Sequence, residues 1–132
     1  MNRHQAAASL YRRLGWSPGT AGHLVWLRSG RVIDALELPR TLGQRTQRLV
    51  AAKTPLFEVI DLEQPHWVFL TQPARRPVDT LNALGVDHIT GGRTVDLPPS
   101  EYGQSRLHWL VAPTTPLPQF ATVAEAIILA AT

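Results

Sequence analysis

The sequence of 132 residues contains no cysteine, which excludes disulfide bonds and thiolate metal sites. It also lacks any apolar run close to the roughly 20 residues that a membrane-spanning helix needs. The apolar end of the chain, Ala124–Ala131, is far shorter than that. The first residues include no continuous apolar segment of the kind found in signal peptides. We therefore expect a cytoplasmic protein that has no membrane partner.

Charged residues are scarce, and the basic ones are scattered. They make up 17% of the chain, and the formal net charge is only +3. The tightest groups among the 12 arginines, such as Arg12–Arg13 and Arg75–Arg76, hold two or three members. Proteins that make many phosphate contacts usually concentrate such residues on one surface. The composition therefore predicts at most weak, salt-sensitive binding to DNA or to a nucleotide.

Length and periodicity predict one α+β domain over residues 1–132. Apolar residues at helical spacing predict helices over residues 3–14, 40–52, 78–84 and 119–131. Alternating and β-branched stretches predict strands over residues 24–28, 31–38, 57–62, 66–71, 86–89, 93–97 and 107–112. We expect a mostly antiparallel sheet that the helices cover on one face.

Turn residues predict three β-hairpins. Ser29–Gly30 and Gly91–Gly92 offer the free access to positive φ that tight reversals need. Glu63–Pro65 joins two further strands. We expect the strands on either side of Gly91–Gly92 to pair with each other. One sheet should then contain the strands at 66–71, 86–89, 93–97 and 107–112.

Aromatic and aliphatic residues at alternate strand positions should share one face and be buried. The predicted core residues are Trp67, Phe69, Val95, Trp109, Val111 and Ile127. Trp16 stands between a helix and a turn, which makes it the best candidate for an exposed tryptophan that stacks on a base.

The segment Gly85–Pro113 combines a Gly-Val-Asp strand, a two-glycine turn, a strand closed by Pro-Pro-Ser, and a tryptophan-bearing strand that ends in proline. Its order and spacing resemble the end of the N-terminal domain of bifunctional DNA primase–polymerases, which are archaeo-eukaryotic primase-like proteins. Ala6–Trp16 is similar to that family's opening helix, Val32–Pro39 to its acidic strand, and His66–Phe69 to its histidine strand. The resemblance implies a primase–polymerase-like α+β fold.

The resemblance also implies a metal site. Active members of the family bind divalent metal through acids that include an Asp-x-Asp pair, whose two side chains point to one face of a strand. Asp34 matches the first acid and Asp87 matches the acid of Gly-Val-Asp, but Leu36 occupies the second position of the pair. Glu37 lies three residues from Asp34, and therefore on the opposite strand face. The implied metal ligands are Asp34 and Asp87, with magnesium or manganese bound only if the protein is active, and no other cofactor is expected.

Four basic residues are candidates for nucleotide binding. His66 matches the family's histidine, which would contact a nucleotide phosphate. Arg75 and Arg76 lie in a proline-bounded loop after the His66 strand, near where the family's ligand would lie. Arg93 follows Gly91–Gly92, and together they could cradle a phosphate, although a plain hairpin turn is the better explanation of the two glycines.

An independent possibility is a metal site of two histidines and one carboxylate. His88 and His108 lie in predicted strands that could pair, and Asp87 or Asp96 would supply the carboxylate. Isolated histidines are more often ordinary polar residues on a strand face.

Because acids are missing from the implied constellation, we expect a degenerate relative that is inactive as a polymerase. It would bind nucleic acid or a nucleotide in a replication or regulatory context. One alternative is a protein-interaction module that kept the fold without ligand binding. Another is a metal-dependent nucleotidyltransferase with an altered site at Asp34, His66 and Asp87.

Two observations would separate these hypotheses. An apolar surface patch that includes Leu56, Phe57 or the terminal helix favours protein interaction. Nucleic-acid binding is favoured if the following arginines share one face: Arg12, Arg13, Arg28, Arg31, Arg75 and Arg76.

Overall fold

The structure, a computed structural model, describes residues 2–61 and 63–132. Within these ranges the helices are α1 (Arg3–Arg13), α2 (Arg40–Gln47), α3 (Thr80–Ala83) and α4 (Phe120–Ala130). The strands are β1 (Gly19–Ala21), β2 (Leu24–Arg28), β3 (Asp34–Pro39), β4 (Leu56–Ile60), β5 (His66–Thr71), β6 (Asp87–Ile89), β7 (Thr94–Asp96), β8 (Glu101–Tyr102) and β9 (Ser105–Val111). Leu62, the last residue of a predicted strand, lies outside the described residues.

The strand pairs recorded among these residues are all antiparallel, which confirms the α+β prediction. α1 and α4 match the predicted helices closely, whereas α2 and α3 are shorter than predicted. In the described part of the chain, every helix is too short or too polar to cross a membrane.

Six strands form the larger sheet, in the order β6-β3-β5-β4-β9-β8. Its central strand β5 has the sequence HWVFLT, whose aromatic and β-branched residues suit a strand buried on both faces. β4 and β5 pair with Val59 opposite His66, which confirms the hairpin predicted at residues 63–65. β3 therefore runs along one side of β5 and β4 along the other.

A second sheet has three strands in the order β1-β2-β7. Gly22, with a φ of 59°, lies in the turn of the β1–β2 hairpin, which was not among the predicted hairpins. Gly19 lies opposite Trp26, and a Cβ built on it would be only 2.5 Å from Cζ2 of that indole. The glycine thus lets the Trp26 ring lie flat across β1.

Side-chain alternation gives the larger sheet two faces, and both are covered. The helix face packs against α2, α3 and α4 through Leu36, Leu38, Leu56, Trp67 and Phe69. The strand face packs against the small sheet and α1 through Ala35, Phe57, Val68, Leu70, Ile89 and Leu107. The prediction that all helices cover one face is therefore only partly right: α2, α3 and α4 share the helix face, but α1 packs on the strand face. The layer of strands on that second face was not predicted.

Two of the predicted hairpins are wrong. β2 pairs with β1 and β7 rather than β3, and β6 pairs with β3 rather than β7. The two glycine turns instead bind each other: Gly92 N–H donates to the Ser29 carbonyl at 3.0 Å, and Ser29 N–H donates to the Arg93 carbonyl at 2.9 Å. The Gly91–Gly92 turn carries the chain from the larger sheet to the small one. The predicted strand at 93–97 therefore belongs to the small sheet.

The predicted core is confirmed in part. Buried residues are Trp67, Phe69, Val95 and Ile127, and half-buried ones are Trp109 and Val111. The pairing of β9 with β4 shifts between Leu56 and Phe57. This irregularity places Trp109 on the strand face and Val111 on the helix face, so the two do not share a face. Trp16, expected to be exposed, is only 3% exposed.

Tyr11 fixes α1 against the strand face. Its hydroxyl donates to the carbonyl of Pro98 and accepts from Nε1 of Trp109 at 3.0 Å. Burial raises the pKa of Tyr11 to about 12, and the hydrogen bond from Trp109 opposes that rise. A neutral buried hydroxyl therefore joins α1, the loop before β8, and β9.

Candidate functional site

A buried carboxylate joins three parts of the chain on the helix face. Asp34, the first residue of β3, is fully buried. Its Oδ2 accepts from the backbone N–H of Ala74 at 2.9 Å and from Nε2 of His88 at 2.8 Å. Its Oδ1 accepts from Oγ1 of Thr90 at 3.0 Å. An ionised carboxylate only accepts, so these three donors satisfy a charge that would otherwise be costly to bury.

His88 extends this network to α4. Its ring stacks on the ring of Phe120, with centroids 4.4 Å apart and planes 28° apart. Phe120 is the first residue of α4 and is itself buried. The buried carboxylate is therefore linked, through one imidazole, to the start of the last helix.

A groove of about 480 Å³ lies between the loop Gln72–Pro77, here called the arginine loop, and the first turn of α4. Its lining includes Gln72, Arg75, Arg76, Val78, Gln119 and Phe120. Gln72 ties the loop to the segment before α4, because its N–H donates to Pro118 and its Nε2 donates to Leu117, each at 2.8 Å. Small-ligand sites commonly have volumes of about 300–1,000 Å³, and this arginine groove falls in that range.

The arginine groove is electrically positive. Arg75 and Arg76 are exposed, and neither forms a salt bridge within residues 2–61 and 63–132. Gln119, the residue that precedes α4, also lines the groove; its side chain does not cap the helix, and the first turn of α4 contains no acid. The free N–H groups at a helix start attract anions. Two guanidinium groups and a helix start thus border one groove, whose lining also includes the apolar side chains of Val78 and Phe120.

The strand face carries a second polar group. Glu37 lies opposite Asp87 in the β3–β6 pairing, and Arg93 donates two hydrogen bonds to Asp87 at 2.8 and 2.9 Å. These bonds lower the pKa of Asp87, whereas burial raises the pKa of Glu37. Burial also raises the pKa of Asp96, which lines, with Glu37, a cavity of about 100 Å³ between the two sheets. Arg93 is thus already paired with an acid of its own chain.

The larger sheet divides the predicted site residues into two groups. The helix-face group is Asp34, Arg75 and Arg76, and the strand-face group is His66, Asp87 and Arg93. His66 also lies far from Asp34 along the sheet, because Asp34 pairs with Thr71 and His66 pairs with Pro39. At about 3.3 Å per residue, the two ends of β5 are roughly 17 Å apart. The six residues therefore do not form one site.

The site of two histidines and a carboxylate does not form. His88 lies on β6 and His108 on β9, with β3, β5 and β4 between them, so the expectation that their strands pair is wrong. Among the residues that the structure describes, no three His, Asp or Glu side chains come together in a way that could hold a metal ion.

The metal site implied by the sequence resemblance does not fit the geometry. Asp34 points to the helix face, whereas Asp87 lies opposite Glu37 on the strand face. Leu36, at the position of the second acid, is fully buried in the helix-face core. The groups around Asp34 are N–H and O–H donors, and a cation would have to displace them. The residues present therefore do not fit a two-metal polymerase centre.

Sequence reasoning missed three contributors to the helix-face network: Ala74, Thr90 and Phe120. Ala74 acts through its backbone N–H, and Phe120 acts through a contact with a residue distant in sequence, so no local pattern marks either. One feature of the sequence did indicate that the arginine loop has a fixed conformation. Pro73 and Pro77 lie on either side of Ala74, and proline restricts the backbone of a loop.

No family model, no curated protein and no solved structure matches the chain. The resemblance to primase–polymerases therefore depends on the sequence motifs alone.

Proposed function

We propose that this domain binds the phosphates of a nucleic acid or nucleotide in the arginine groove and does not polymerise nucleotides. The observation that carries the proposal is the groove itself, where Arg75, Arg76 and the uncapped start of α4 border one cavity. A phosphate would meet the guanidinium groups and the helix N–H groups, while a base would contact the apolar part of the lining at Val78. The role would be that of a degenerate primase–polymerase relative in replication or regulation, in the cytoplasm.

The proposed lack of polymerase chemistry follows from β3. Two-metal catalysis needs acids that converge on the same ions, but Asp34 and Glu37 point to opposite faces of the sheet. We expect no template-dependent nucleotide incorporation with magnesium or manganese in a primer-extension assay. Incorporation that disappears in Asp34→Ala would overturn this part of the proposal.

Binding should be weak, because the arginines do not form one surface. Arg12 and Arg13 lie on α1 and Arg28 ends β2, all in the layer beyond the strand face, whereas Arg75 and Arg76 lie beside α4. Each phosphate contact with single-stranded DNA contributes about −0.7 to the slope of log K against log salt. Two groove contacts therefore contribute about −1.4, and we expect the total slope to stay below about 4 in magnitude.

The test compares two double variants in fluorescence-anisotropy titrations with labelled oligothymidylate at several salt concentrations. Arg75→Ala/Arg76→Ala removes both groove charges, and Arg12→Ala/Arg13→Ala removes the same charge from α1 as a matched control. We expect the groove variant to bind more weakly and to lose about 1.4 from the magnitude of its salt slope. The control should stay close to wild type, and equal losses in both variants would contradict the proposal.

One observation favours protein interaction as a second candidate. Leu129 on α4 is 62% exposed and Leu49, just after α2, is 48% exposed, and α2 packs against α4. Leu56 and Phe57, which the sequence suggested for an apolar patch, are buried instead. This candidate is preferred if the wild type binds no oligothymidylate at low salt but self-associates in sedimentation velocity. In that case Leu129→Glu should abolish the self-association.

A further inference from the structure

We infer that Asp34 is a positioning residue for the arginine groove. In addition to the two hydrogen bonds of Gln72, this buried carboxylate supports both walls of the groove: it bonds to the arginine loop on one side and, through His88, reaches the start of α4 on the other. The inference deepens the proposed function and rests on it for the ligand. It assigns Asp34 to hydrogen bonding rather than to the metal ligation that the sequence resemblance implies.

The first wall is held through Ala74. Its N–H donates to Oδ2 of Asp34 at 2.9 Å, and the next two residues are Arg75 and Arg76. Within the described residues, this is the one hydrogen bond recorded for the loop between Pro73 and Pro77. The height of the two guanidinium groups above the sheet therefore depends on a carboxylate at the start of β3.

The second wall is held through His88. Its Nε2 donates to the same Oδ2 at 2.8 Å, and its ring stacks on Phe120 with centroids 4.4 Å apart. Phe120 lines the groove and begins α4, so its ring and the helix start share one support. His88 is only partly exposed, and its side chain, with 14% accessibility, has little freedom to turn away.

The other carboxylate oxygen offers a built-in control. Oδ1 accepts from Oγ1 of Thr90 at 3.0 Å, and Thr90 is not among the residues that line the groove. Thr90→Val removes this hydrogen bond while both bonds to Oδ2 remain. If Asp34 served only overall stability, losing any of its three hydrogen-bond donors should matter. If it positions the groove, only the bonds from Ala74 and His88, which lead to the groove walls, should matter.

The conservative variant Asp34→Asn separates positioning from metal ligation. The amide oxygen can take the place of Oδ2 and accept from Ala74 and His88, while its NH₂ group faces the Thr90 hydroxyl, which can accept as well as donate. Positioning by hydrogen bonds therefore survives this substitution. Binding of a divalent metal relies on the negative charge as well as on the oxygen, so this substitution should weaken it strongly.

The experiment measures amide hydrogen exchange of the arginine loop in Asp34→Ala, Asp34→Asn, Thr90→Val and wild type. In Asp34→Ala the Ala74 N–H loses its hydrogen bond to a charged group, so its exchange rate should rise by about tenfold or more. Asp34→Asn and Thr90→Val should stay near wild type. The inference is overturned if Asp34→Ala leaves this exchange unchanged, if Asp34→Asn behaves like Asp34→Ala, or if Thr90→Val is as disruptive.

Affinity for labelled oligothymidylate is measured on the same variants, with magnesium and with a chelator. It should fall in Asp34→Ala, recover in Asp34→Asn, and show the same pattern under both conditions. An affinity that requires magnesium and is lost in Asp34→Asn would assign Asp34 to a metal and overturn the inference. If the wild type does not bind the oligonucleotide at all, the proposed function fails, while the exchange measurement still decides whether Asp34 holds the loop.

His88→Ala keeps the test decisive if Asp34→Ala does not fold. This variant removes the support of Phe120 but keeps the bond between Ala74 and Asp34. We expect weaker oligothymidylate binding with unchanged exchange at Ala74, which a loss of overall stability would not produce. Faster exchange throughout the loop and the strands in His88→Ala would instead indicate a purely structural role and overturn the inference.

Discussion

Asp34 and Glu37 lie three residues apart on the same strand, yet their surroundings differ completely. Asp34 faces the helices, is fully buried and accepts three hydrogen bonds. Glu37 faces the small sheet, is half-buried, and has its pKa raised by burial. The period of two along a strand separates the acids, so each meets its own environment and neither can complete a shared metal site. Asp34 therefore holds neighbouring segments together by hydrogen bonds on the helix face, whereas Glu37 is a poorly solvated acid on the strand face.

The largest expected change in stability is at Asp34. Asp34→Ala leaves the His88 ring, the Thr90 hydroxyl and the Ala74 N–H without their partner, and buried groups left in this way destabilise strongly. We expect the free energy of unfolding to fall by about 3–5 kcal/mol in urea denaturation followed by tryptophan fluorescence. A loss below about 1 kcal/mol, the size typical of an exposed pair, would remove the contrast between the two acids.

A smaller effect is expected at the hydroxyl that holds α1 to the strand face. Tyr11→Phe leaves the carbonyl of Pro98 and the indole N–H of Trp109 unpaired, at a cost of about 1–3 kcal/mol. The pKa of Tyr11 is raised to about 12, above its ordinary value of 10.0. The unfolded chain ionises first at this residue, so Tyr11 should lower wild-type stability as pH rises from 10 to 12. Tyr11→Phe lacks this contribution and keeps only that of Tyr102, whose pKa burial also raises. Matching alkaline unfolding curves for the two proteins would contradict the assignment.

The smallest effect is a stabilisation at Glu37. Burial raises the pKa of Glu37 above 4.5, so its ionised form is less favourable in the folded state than in the unfolded state. Wild-type stability therefore falls as pH rises from about 4.5 through the folded-state pKa. Glu37→Gln removes this effect, and its melting temperature should exceed that of the wild type at neutral pH but not at pH 4. If Glu37→Gln is less stable than the wild type at both pH values, Glu37 stabilises the fold through contacts that outweigh the cost of burying its charge.

Much of the secondary structure follows from local sequence, but the strand pairing does not. α1 and α4 have strong helical patterns, β5 is a continuous run of aromatic, aliphatic and β-branched residues, and the Glu63–Pro65 turn joins strands that pair directly. Ser29–Gly30 and Gly91–Gly92 have the residues of hairpin turns and yet connect strands of different sheets. A glycine with positive φ fits a hairpin turn and a connection between two sheets equally well. The contact between the two turns, which the local sequence does not show, decides which connection forms.

The charged residues of the candidate site could be predicted from the sequence, but the contacts that hold them in place could not. The proline-bounded loop with Arg75 and Arg76 was identified from the sequence, and the opposite orientation of Asp34 and Glu37 follows from strand alternation alone. The bond from Ala74 and the stack of His88 on Phe120 depend on how the loop, β6 and α4 meet in space. Such contacts between distant segments leave no periodic pattern in the chain.

The most direct test of the account is the metal dependence of ligand binding. Labelled oligothymidylate is titrated with wild-type protein in magnesium and after complete chelation, with Arg75→Ala/Arg76→Ala as the comparison. In the proposed function, the arginine groove binds phosphate through guanidinium and N–H groups. Wild-type binding should then persist without metal, and the double variant should bind more weakly under both conditions. Binding that vanishes on chelation and is indifferent to the two arginines would contradict the account.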